Sequence, residues 1–147
     1  MTITRGMAAA AMLAGLAVGT ASAAWADTTL SGHYVETETG AESGQSITYD
    51  WYATSCGDGC ASLEFTPGGP IQSQAQLVKG QWILDTTGAP LRCPDGSVVP
   101  NAVSEHYTVD SNTLAGTVQL TYEVPACGNP AGYQSTNFVQ ISPAPNA

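Results

Sequence analysis

The residues of this 147-residue chain that could carry chemistry are two histidines, twelve carboxylates, four cysteines and a set of strand-borne aromatics. His33 lies opposite Leu30 and Tyr34 in an alternating stretch, and His106 lies opposite Tyr107 and Val109, so both are expected to face solvent. Glu105 and His106 would make a general base with its orienting acid if they met. Neighbouring residues of a strand point to opposite faces, so these two cannot cooperate directly. Gly40-Ala41-Glu42-Ser43-Gly44 carries glutamate where a Gly-x-Ser-x-Gly elbow needs its serine. Asp95-Gly96-Ser97 lacks the alternating oxygen ligands and terminal glutamate of a calcium loop and reads as a turn. Glu36, Glu38 and Glu42 fall in a Thr/Gly/Ser-rich stretch and are expected to be a solvated connection, with weak cation binding as the alternative. No catalytic set, metal site or cofactor site is expected from these spacings.

The cysteines point to staples rather than ligands. Cys56, Cys60, Cys93 and Cys127 are four in a small chain that reads as exported, which favours two disulfides. Three pairings exist. Cys56 with Cys60 and Cys93 with Cys127 is the expected one, because Gly57 and Gly59 let the short segment bring its ends together. The second bridge would close a loop of roughly 35 residues, about 3 to 4 kcal/mol in the chain-entropy account. Zinc is disfavoured, since no second matched pair follows the first.

Among the aromatics, Tyr49, Trp51, Trp82, Tyr107 and Tyr122 sit on alternating segments. They either fill a core or line a barrel mouth for a small apolar ligand or a partner.

These residues need strands to hold them. Ile47, Tyr49, Trp51 and Ala53 alternate with Thr48, Asp50 and Tyr52; Ala61, Leu63 and Phe65 follow the cysteine turn with the same period. Strands are also expected over 30–37, 75–78, 81–86, 103–109, 114–124 and 137–141, with a short helix competing only around Gln74. Lys79-Gly80 joins one hairpin and Asp110-Ser111-Asn112-Thr113 another. About eight short strands in a meander predict an all-β fold, a small up-and-down barrel, with a two-sheet sandwich as the alternative.

Ahead of the strands, Arg5, an apolar run over 7–18 and the triplets Ala21-Ser22-Ala23 and Ala24-Trp25-Ala26 have the layout of a secretory signal peptide. Cleavage is expected after Ala26 or after Ala23, leaving 27–147 as one disulfide-stapled domain, secreted or held at the cell envelope with no integral membrane segment. All twelve acids lie in that domain against Lys79 and Arg92, so the full-chain charge of −9 becomes about −10. Such a balance excludes nucleic acid as a partner, because phosphate binding needs a basic face.

Gly32-His33-Tyr34, Trp51 ahead of the cysteine turn, Cys93-Pro94-Asp95-Gly96 and the run from Asp110 to Gly116 resemble small cysteine-containing exported proteins of mycobacteria and related actinobacteria with no established activity. That resemblance implies a location outside the membrane and no chemistry. The glycine-aromatic element around Tyr34 is more distantly similar to avidin and lipocalin barrels, which implies a barrel wide enough for side chains or one small ligand and transfers no ligand residue. The resulting expectation is a non-enzymatic exported β-barrel that binds a partner or small apolar ligand; the alternative is a small secreted hydrolase using carboxylates or His106.

Overall fold

The computed structural model describes residues 29–145; the signal peptide expected over 1–26 lies outside them. Eight antiparallel strands follow one another around a closed barrel: β1 (Gly32–Gly40), β2 (Ser46–Gly57), β3 (Cys60–Glu64), β4 (Ser73–Val78), β5 (Gln81–Arg92), β6 (Val98–Asp110), β7 (Ala115–Tyr122) and β8 (Gln134–Pro143). Closure comes from β8 pairing back onto β1, with Glu36 opposite Ile141 and Glu38 opposite Val139. The meander is thus a barrel and not a sandwich, and each strand has a hydrogen-bonded neighbour on both sides. Residues around Gln74 lie in β4, paired with β3 and β5, so the helix that could have competed there does not form.

Side-chain period sets the two faces. Trp51, Ala53, Leu63, Ala75, Trp82, Leu84, Tyr107, Val109, Val118, Val139 and Ile141 point inward and are buried. Outward positions between them are Thr48, Gln74, Gln76, Asp85, His106, Gln119 and Gln140. The outer surface is therefore hydroxyl- and amide-rich, unlike the apolar band of a lipid-facing barrel. Among the described residues, no helix is long and apolar enough to cross a membrane.

Strand ends differ from those read by alternation where a side chain caps the barrel. Leu30 precedes β1 and is 3% exposed, folded under one end as a plug. Leu114 precedes β7 at a φ of 54°, which breaks the extended chain just where alternation would continue it. The β4–β5 turn uses Lys79 and Gly80 at φ 49° and 78°, both positive, as a two-residue turn matching strand twist requires. In a meander every second connection lies at the same end. The β1–β2, β3–β4, β5–β6 and β7–β8 connections form one mouth; the three short turns and Leu30 close the other.

Two disulfides staple this frame. Cys56–Cys60 closes the β2–β3 turn, and Cys93–Cys127 ties the β5–β6 connection to the β7–β8 connection. The expected pairing is the one formed.

Candidate functional site

The interior is divided along its axis. At the plugged end, Leu30, Trp51, Trp82, Leu84, Val109 and Ile141 pack around a residual cavity of about 10 Å³, room for no more than one water. Toward the mouth the inward positions turn polar: Glu36 and Glu38 on β1, Tyr49 on β2, Thr86 on β5, Glu105 on β6 and Asn137 on β8. Glu36 and Glu38 were expected in a solvated connection. They lie instead in β1 and are 1% and 7% exposed, because the period that sends Tyr34 inward sends residues 36 and 38 inward as well. Glu42 alone of that group lies in the exposed β1–β2 turn.

The three interior carboxylates are held differently. The Asn137 amide donates to Glu38 at 2.5 Å, and the Thr86 hydroxyl donates to Glu105 at 2.7 Å. Neither oxygen of Glu36 has a hydrogen-bond partner, nor does the indole Nε1 of Trp51. The Trp51 indole and Tyr107 phenol nonetheless face Glu36 closely enough to favour its anion. Burial outweighs them: it disfavours charge, Glu38 and Glu105 repel a further anion, and the Glu36 pKa is pushed up to about 8. Burial also raises Glu38 and Glu105, opposed by Asn137 in one and Thr86 in the other. Tyr49 is pushed to about 12 by burial and then by the three glutamates, with Arg92 acting the other way. Near neutral pH Glu36 is therefore mostly a neutral acid inside an acidic cluster.

No family model matches this chain, and no curated protein or solved structure is similar to it. Functional argument therefore rests on the barrel's own geometry.

Of the five aromatics singled out by sequence, Trp51, Trp82 and Tyr107 are buried inside the barrel, with Trp51 and Tyr107 edge to face at 5.3 Å. Tyr49 shares their inward face but is 39% exposed, which places it at the mouth. Tyr122 stands farther along, edge to face with Tyr133 of the β7–β8 connection at 5.2 Å. Both histidines face outward. His33 Nε2 meets Asp50 Oδ1 at 2.8 Å and its ring stacks on Tyr52; His106 Nδ1 meets Asp85 Oδ1 at 2.6 Å across the β5–β6 pair. These are exposed carboxylate–imidazole pairs on a convex wall, and Glu105 points away from His106 into the barrel.

The arrangement limits the chemistry. A two-carboxylate hydrolase sets its acids on either side of a substrate bond. Glu36 is 1% exposed, so no such bond can lie beside it while the barrel is closed. A metal centre is not indicated either: among the described residues, no three His, Cys, Asp or Glu groups come together as ligands. What the mouth offers is the exposed Tyr49 ring, with the acidic cluster behind it and Glu36 sealed from solvent.

Proposed function

We propose that this protein is an exported, non-enzymatic barrel that binds a small ligand at its acidic, tyrosine-lined mouth. One observation carries this reading: three glutamates gather on the inner face toward the end of the barrel where Tyr49 is half-exposed, while the opposite end is packed shut. Burying several carboxylates together costs stability unless something pairs with them. A purely structural barrel would gain from apolar residues at positions 36, 38 and 105, so their presence favours a binding role. Export fits the secretory layout of the N-terminal segment and the two disulfides, which persist in an oxidising compartment.

Native mass spectrometry of the protein purified from its own secretion host tests the proposal. The expected result is a chain starting at Asp27 or Ala24 with both disulfides formed, and a retained small-molecule adduct that disappears in a Glu38→Gln/Glu105→Gln variant. Four free thiols would overturn the export reading. An adduct held equally by the variant would move the binding site away from the mouth.

A further inference from the structure

We propose that the Cys56–Cys60 bridge is a thiol–disulfide exchange site that oxidises dithiols carried on a neutral or basic partner. It closes the β2–β3 turn at the plugged end of the barrel, so it is independent of a ligand at the mouth. The two sulfurs are not equivalent. Ser55 pairs with Ala61 and Gly57 with Cys60, which makes Cys56 the extra residue of a bulge in β2. That residue is exposed, whereas Cys60 is half-buried in β3. An incoming thiolate therefore reaches the Cys56 Sγ first. Cys60 is the better leaving group, because Gln76, opposite it across the β3–β4 pair, donates its side-chain amide to the Cys60 Sγ at 3.6 Å. A donor gives more to a thiolate than to a disulfide sulfur, so it favours the charge that develops on Cys60 as the bond breaks.

The exchange balances with a dithiol as the only co-reactant. One partner thiolate attacks the Cys56 Sγ, forming a mixed disulfide, and the Cys56–Cys60 bond breaks with its electron pair leaving on Cys60. The partner's second thiolate then attacks its own sulfur in the mixed disulfide and releases Cys56. The partner is oxidised by two electrons to a disulfide, and Cys56 and Cys60 take up the two electrons and the two protons as thiols.

Opening this bridge leaves the barrel in place. Thr54 stays paired with Ser62, Ser55 with Ala61 and Gly57 with Cys60, and the Leu77 amide of β4 donates to the Gly59 carbonyl at 2.8 Å. Both oxidation states thus share one fold. Cys93–Cys127 is the opposite case: Cys93 is 6% exposed, and the bridge joins two connections that are 34 residues apart. Exposed disulfides are the labile ones, so a thiol distinguishes the two.

Charge narrows the partner. Asp58 lies exposed between the two cysteines, and the domain as a whole is acidic. An anionic thiol is repelled from the turn, and a cationic one is drawn to it.

Thiol exchange on the purified exported protein, quenched with N-ethylmaleimide and mapped by mass spectrometry, tests the proposal. With dithiothreitol, Cys56–Cys60 should open at least about tenfold faster than oxidised glutathione does, while Cys93–Cys127 stays closed and the circular dichroism of the barrel is unchanged. With cysteamine, the trapped mixed disulfide should be on Cys56. Added sodium chloride should slow cysteamine and speed 3-mercaptopropionate. Gln76→Ala, at an exposed position, should slow opening about threefold without shifting thermal unfolding. Opening no faster than glutathione, adducts mainly on Cys60, loss of the barrel signal with the bridge, or an unchanged rate in Gln76→Ala would overturn the exchange site. Rates that salt leaves unchanged would overturn the charge preference.

Discussion

Glu36 and Tyr49 stand directly opposite one another across the β1–β2 pair, both on the inner face, yet one is 1% exposed and the other 39%. Two neighbours in register thus span the step from sealed interior to open mouth. Burial holds the Tyr49 phenol up at about 12, and Glu38, Glu105 and then Glu36 add to it. The side chains that face Glu36 most closely are Trp51 and Tyr107, both buried, so the acid is enclosed by the barrel's own core.

The first prediction concerns pH. Glu36 has a pKa near 8 in the folded chain against 4.5 as the ordinary value, so the folded state holds a proton that the unfolded state has lost. Stability is then fully present below pH 4.5 and declines as pH rises toward 8, by up to about 1.4 kcal/mol per pH unit. Glu38 and Glu105 are shifted in the same direction and add to the decline. Glu36→Gln, a neutral mimic of the protonated acid, should flatten the slope and leave the variant a few kcal/mol more stable than the parent at pH 8.5. Urea denaturation across pH 4.5 to 8.5 checks this, and a parent whose stability rises over that window would refute it.

Trp51→Phe should raise the Glu36 pKa further. The Trp51 indole favours the Glu36 anion, and phenylalanine keeps most of the ring volume without the N–H. The midpoint of the pH-dependent stability loss should therefore move upward, whatever uniform cost the smaller ring adds. A midpoint that stays put would mean that the indole contributes packing alone.

The contrast between barrel and site shows what alternation can and cannot carry. Ile47 to Ala53 and Leu114 to Val124 announce strands because β-formers recur every second residue, and the meander follows from short turns between them. The site was hidden because its residues break the rule that inward means apolar. The same period that places Tyr34 inward also places Glu36 and Glu38 there, and that which places Val103 and Tyr107 inward includes Glu105. Composition assigned those glutamates to solvent, whereas period, followed without regard to polarity, assigns them to the barrel. Asn137 and Thr86 could not be found at all from sequence, since they matter only through the partners that closure brings them.

His106→Gln should change little. The His106–Asp85 pair is close but exposed on both sides, and exposed pairs of this kind contribute about 0 to 1 kcal/mol. Thermal unfolding should shift by no more than that range allows, and ligand binding at the mouth should be unaffected, since the imidazole is on the outer wall. Loss of a hydrolytic activity in this variant alone would instead support the hydrolase alternative.

The two disulfides should differ in weight. Cys93–Cys127 joins residues 34 apart and Cys56–Cys60 residues 4 apart, so the chain-entropy account assigns about 4 and about 2 kcal/mol. Paired cysteine-to-serine variants at each bridge, compared by urea denaturation, should show the larger loss for the bridge between the β5–β6 and β7–β8 connections. Those connections rim the mouth, so the same variant should also weaken binding there, whereas opening Cys56–Cys60 at the far end should not.

Gly116→Ala should damage the barrel more than its size suggests. Gly116 pairs with Val109 across β6 and β7, and a Cβ at this position would lie 1.9 Å from the Thr108 carbonyl oxygen and 2.8 Å from the Val109 Cα. Both obstacles are backbone, so neither can rotate away; the strands must separate or shift. Separation is resisted because β7 is also paired to β8, and β8 to β1, around the closed ring. The expected cost is about 2 to 4 kcal/mol. Because the strain falls on the pairing that positions Glu105 and Tyr107, the variant should lose part of the pH dependence assigned to Glu36 as well as stability. Urea denaturation at two pH values measures both, and a variant as stable as the parent would show that the β6–β7 approach is looser than its register implies.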